Sequence, residues 1–65
     1  MDKIEIGQLR QWRDSPVSSN NGQLFLILEH RALMHLTTVD YLQGGKICNA
    51  GGTHIEEYSA VIEHD

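Results

Sequence analysis

Leu24-Phe25-Leu26-Ile27-Leu28 is the longest apolar run in the chain, and it constrains the fold more than any other feature. As a strand it points Leu24, Leu26 and Leu28 to one side and Phe25 and Ile27 to the other. A chain of 65 residues buries only about 60% of the surface its unfolded form exposes. A lone small sheet covers one face with its core and leaves the other to be shielded. Three shields are available: the long loop carrying Val17, a second copy, or another protein. Leu33, Met34 and Leu36 add to the apolar surplus, and methionine suits adaptable contact surfaces.

The run also admits a helical reading. Gln23 to Met34 is rich in helix formers, and Leu24, Ile27, Leu28 and Arg31 sit at helical spacing. That alternative is an α+β fold with a helix at about 23–34. The strand reading is preferred because Asn21-Gly22 breaks the chain immediately before the run. His30-Arg31-Ala32 then serves as a hairpin corner.

Breaks elsewhere divide the chain into strand-length pieces. Asp14 to Gly22 is a loop of Ser, Pro and Asn, and Gly44-Gly45 and Gly51-Gly52 are turns. The first strand is Ile4 to Arg13, with a bulge or bend at Gly7. The second is Gln23 to His30, the third Met34 to Leu42, and the fourth Lys46 to Asn49. Thr53-His54-Ile55-Glu56 forms one helical turn, with Thr53 as N-cap and Glu56 as its capping-box partner. Ala60 to Glu63 is the fifth strand. The expectation is one domain, 1–65, mainly β.

Gly7-Gln8-Leu9-Arg10-Gln11-Trp12 as first strand, with Ile55-Glu56-Glu57-Tyr58-Ser59-Ala60-Val61-Ile62 as helical turn and last strand, resembles the Src-homology-3-like small β-barrel. The resemblance covers nearly the whole chain and lies in element order. It implies a five-stranded barrel with one helical turn before the last strand. It extends to the short barrels encoded by bacteriophages and other mobile elements, which implies an inhibitor or regulator of a host protein. The aromatic cluster that grips proline-rich peptides in signalling members is not evident, because Trp12, Phe25, Tyr41 and Tyr58 are scattered in sequence.

Charge narrows the partner classes. Residues 1–31 balance four cations against four carboxylates, while residues 32–65 set Lys46 alone against Asp40, Glu56, Glu57, Glu63 and Asp65, leaving −4. An acidic half argues against non-specific nucleic-acid binding. Cys48 is the only cysteine, so no intramolecular disulfide can staple the fold. No signal pattern and no apolar run of membrane length, about 20 residues, is visible. A cytoplasmic location is expected.

Catalytic and metal-binding patterns are sparse. His30 and His35 are five apart, and neither the His-Glu-x-x-His spacing nor a Cys-x-x-Cys pair occurs. Cys48 and His54 lack an orienting third group. Adjacent Glu56 and Glu57 diverge and read as solvated charge. We therefore expect no enzyme, no metal and no cofactor.

The preferred reading is a protein-binding module whose partner is a larger host protein or its own copy. Trp12, Phe25, Ile27, Met34 and Tyr41 would be its apolar anchors, and Glu56, Glu57 and Glu63 its acidic rim. The alternatives are a nucleic-acid-binding barrel using Arg10, Trp12, Arg13 and Lys46, or a structural homo-oligomer.

Overall fold

In the computed structural model, residues 3–34 and 36–64 are described, without the side chain of Leu33. His35, and with it the His30–His35 spacing, lies outside that range. Five strands form one antiparallel sheet: β1 (Gln8–Trp12), β2 (Leu24–Leu33), β3 (Leu36–Gln43), β4 (Lys46–Gly51) and β5 (Ser59–His64). Their order is β4-β3-β2-β1-β5. The two edges, β4 and β5, are not joined, so the sheet is open in its pairing. The arrangement is mainly β and compatible with a small barrel-like fold. One helix, α1 (Gly52–Tyr58), precedes β5, and a short 3-10 turn (Ser18–Asn20) lies in the first loop.

The apolar run is strand, not helix. β2 pairs with β1 through Leu9↔Leu26, Arg10↔Phe25 and Gln11↔Leu24, and with β3 from Leu26↔Leu42 to Leu33↔Leu36. These ladders satisfy the backbone groups that a helix would have bonded internally. His30-Arg31-Ala32 is not a corner, since these residues pair with Val39, Thr38 and Thr37. The Arg31 guanidinium bonds Asp40 across that ladder at 2.9 Å, and the reversal comes beyond it. Met34 there has φ +55, an unusual conformation for a residue bearing a Cβ.

The first strand is shorter than expected, because Gly7 turns the backbone at φ +92 and donates its N–H to Ile27 O at 3.0 Å. Ile4 precedes the strand yet is buried, and Ile6 is exposed. The bulge lies further on, between Leu9 and Arg10 in the pairing with β5. Gly44 and Gly45, at φ +57 and +79, close a two-residue hairpin under the Gln43↔Lys46 pair. Both signs are positive, as such a turn requires.

Thr53 does not cap α1. The helix starts at Gly52, the N-cap is Gly51, and no side chain caps it. Gly52 is buried against Thr37, whose Oγ1 and Cβ occupy the place a Cβ would take. That close approach draws the first turn in by one residue and moves Thr53 inside the helix.

The core lies on one face. Trp12, Phe25, Ile27, Val39 and Tyr41 come from β1, β2 and β3, with Ile55 from α1 and Ile4 from the N-terminal segment. Cys48, Ala50 and Tyr58 pack at its margin. Phe25→Ala should cost about 3–5 kcal/mol. A core this small supplies little more than that in total. Circular dichroism should therefore find Phe25→Ala unfolded at 25 °C, whereas Leu36→Ala, 71% exposed, should stay within about 0.5 kcal/mol of wild type.

Candidate interaction surface

Four of the five residues expected as surface anchors are core residues. Trp12, Phe25 and Ile27 are buried, and Tyr41 is 8% exposed. The alternation of β1 and β2 turns them all to the inner face. There the four aromatics that are scattered in sequence converge. Trp12 stacks on Phe25 with ring centroids 4.3 Å apart, and Tyr41 meets both rings edge-on at 5.7 and 5.0 Å. His54 bridges Trp12 and Tyr58 at 5.5 and 5.0 Å. Burial of the Tyr41 ring, with Cys48 beside it, pushes its phenol pKa up. Met34 is the exception among the five. It stands 99% exposed at the end of the β2–β3 hairpin.

The basic group expected for nucleic acid is not assembled. Arg10 has no exposed surface, because it shares the inner face with Gln8 and Trp12. Its Nε donates to Ser59 Oγ at 2.8 Å, its Nη2 to Ser59 O at 3.3 Å, and its Nη1 to Gln8 Oε1 at 3.0 Å. Ser59 Oγ in turn donates to Ile55 O. The guanidinium thus ties β1 to the α1–β5 junction. Arg13 is exposed just beyond β1. Lys46 starts β4, with β2 and β3 between it and β1.

The first loop closes one end of the core. Trp12 Nε1 donates to Gln43 Oε1 at 2.7 Å, and Gln43 Nε2 reaches Asn20 Oδ1 and Gln23 Oε1 at 3.3 and 3.2 Å. Val17 remains half exposed, and the 3-10 turn buries no side chain. The loop is thus held by Gln43 on the inner face and by the Gln11 amide, which donates to Gly22 O beside Leu24.

The leucines of β2 belong to a row that crosses four strands. Paired residues of antiparallel strands share a face. Ile47↔Leu42, Leu42↔Leu26 and Leu26↔Leu9 therefore align four apolar side chains on the face opposite the core. Leu24, 48% exposed, lies beside the row, and Ile47 at its end is 73% exposed. Carboxylates flank it. Glu63 pairs with Leu9 at one end, and Glu29↔Asp40 forms the next pair on β2 and β3. The Asn49 amide, and then the Arg31 guanidinium, bond Asp40 and hold its pKa below the ordinary 3.8. Glu56 and Glu57 lie on α1, whose Ile55 enters the core, so they do not border this row.

Leu9, Leu42 and Ile47 had not been singled out from the sequence. Leu42 and Ile47 stand symmetrically about Gly44-Gly45, a signal that a two-residue hairpin would pair them. Leu9 carries no comparable local signal, because the long first loop separates its strand from β2. Among the described residues no group of three His, Cys, Asp or Glu side chains could hold a metal ion. Cys48 and His54 both pack toward the core margin. Among the described residues no helix is long and apolar enough to cross a membrane. No family model, curated protein or solved structure matches the chain.

Two measurements check this description. Arg10→Lys should lose about 2–3 kcal/mol of stability in denaturant titration, because an ammonium cannot serve Gln8 and Ser59 as a planar fork does. Asp40 has a depressed folded-state pKa. Its contribution is therefore present above its ordinary 3.8 and lost as pH falls below that toward the folded value. The acid-side drop in thermal midpoint should be smaller in Asp40→Asn than in wild type.

Proposed function

We propose that the chain is a non-catalytic protein-binding module, built on a Src-homology-3-like small barrel, that inhibits or regulates a larger protein. The observation that carries this reading is the row Leu9, Leu26, Leu42 and Ile47 on the face away from the core. Leu9, Leu26 and Leu42 are half-buried and Ile47 is exposed, and apolar surface left outside the core in one row supports an interaction site. The sequence of elements, with a single helix before the last strand, supports the barrel type. The resemblance to barrels encoded by phages and mobile elements makes a host protein the natural target.

The flanking carboxylates define the partner's chemistry. Glu29 and Glu63 beside an apolar strip, with Asp40 already held by Arg31 and Asn49, suit an apolar ridge bordered by Lys and Arg. The binding residues in this reading are therefore Leu9, Leu24, Leu26, Leu42 and Ile47. Burial of Arg10 and Trp12 favours this reading over the nucleic-acid one.

A tagged pull-down from lysate of the source organism, with nuclease present, tests the proposal. One protein should be recovered in near-stoichiometric amount. Leu24→Asp should weaken its binding by about tenfold or more, while Val17→Asp, equally exposed but on the loop, should not. Recovery that collapses with nuclease, or that ignores Leu24→Asp, would overturn it.

A further inference from the structure

The two edges of the sheet are unlike. β5 meets β1 through a register shift opposite Leu9 and Arg10 and carries Glu63 beyond it. Bulges and edge charges are devices that blunt strand pairing. β4 has neither. Its six residues pair with β3 in unbroken register, it contains no proline, and its one charge, Lys46, stands at its start.

The register shows which backbone groups of β4 face outward. The two-residue turn makes Gln43↔Lys46 a hydrogen-bonded pair, and bonded and non-bonded pairs then alternate. Tyr41↔Cys48 and Val39↔Ala50 are therefore bonded, and Leu42↔Ile47, Asp40↔Asn49 and Thr38↔Gly51 are not. The N–H and C=O groups of Ile47 and Asn49, and the N–H of Gly51, point toward the open edge, while the Gly51 C=O, at the N-cap of α1, accepts the first helical bond.

We propose that β4 pairs with β4 of a second copy of this chain, antiparallel about a two-fold axis at Asn49. Ile47 then lies opposite Gly51 of the second copy, and Asn49 opposite its own counterpart. The Asn49 pair exchanges two hydrogen bonds, and the Gly51 N–H of each copy donates to Ile47 O of the other, about four in all. Two features of the edge favour this occupant. A Cβ at Gly51 would have open space around it. Ile47, 73% exposed, lies over that gap from the other copy, as large side chains cover glycines across strands. Lys46, the only Lys or Arg after Arg31, falls opposite Gly52 of the second copy. The two-fold axis makes each contact twice. This pairing leaves the leucine row open, so it goes beyond the partner reading and does not rest on it.

Gly51→Pro separates dimer from fold. Gly51 has φ −69, the value proline imposes, and the preceding residue is in an extended strand. Its N–H points to the open edge, and its Cβ position is free. Wild type should sediment at twice 7.4 kDa at high micromolar concentration. Gly51→Pro should sediment as monomer with an unchanged circular dichroism spectrum. A second variant reads the register. Ala50→Cys places a thiol opposite Cys48 of the second copy, and oxidation should yield a covalent dimer on a non-reducing gel. A wild type that is monomeric at every concentration would overturn the proposal. So would a Gly51→Pro protein that stays dimeric, or an oxidised Ala50→Cys protein that stays monomeric.

Discussion

The Trp12 side chain is where the separate parts of this small fold meet. Its indole stacks on Phe25 of β2, faces the edge of Tyr41 of β3, and touches His54 of α1. Its backbone accepts from Gly22 and donates to Gln23 at the end of the first loop, and it pairs with Ser59 at the start of β5. The indole N–H, buried with the ring, has its acceptor in Gln43. A large aromatic contributes apolar area at low entropic cost. In a chain this short, one such residue can organise most of the core.

The rest of the architecture follows from placing Trp12 inward. Strand alternation then carries Arg10 and Gln8 to the same side, and the protein must satisfy a guanidinium in its interior. It does so with Gln8 and with the side chain and carbonyl of Ser59. A buried charge without such partners would cost several kcal/mol. These partners are also what locks β5 to β1 beside the bulge. The same alternation, carried through the β1–β2 and β2–β3 pairing, turns Leu9, Leu26 and Leu42 outward together. The core and the apolar row on the other face are thus two consequences of one choice of face.

Much of this was legible in the sequence. Pro16, Asn21-Gly22 and Gly44-Gly45 mark the loops, because each residue type suits backbone that strands and helices disfavour, whereas Gly51-Gly52, expected as a turn, is the point where β4 passes directly into α1. Five strands with one helix before the last followed from them. The division of Leu24 to Leu28 between two faces was legible too, but which face became core was not. That depends on what β1 and β3 bring across the ladder, and pairing partners across a long loop leave no local trace. This is why Phe25, Ile27, Trp12 and Tyr41 read as surface anchors and proved to be core. Arg10 read as a surface cation for the same reason, since a buried arginine is recognisable only once Ser59 is beside it. The failed Thr53 cap has a different origin, in the close contact of Gly52 with Thr37.

The central claim is that Trp12 and its face of the sheet form the interior. Trp12 is the only tryptophan, so intrinsic fluorescence reads it without ambiguity. Native protein should emit at blue-shifted wavelength, resist quenching by acrylamide, and move to red-shifted emission at the same denaturant midpoint as far-ultraviolet circular dichroism. Native emission already at the water-exposed position, with free quenching, would show that the core lies on the other face and would contradict the account.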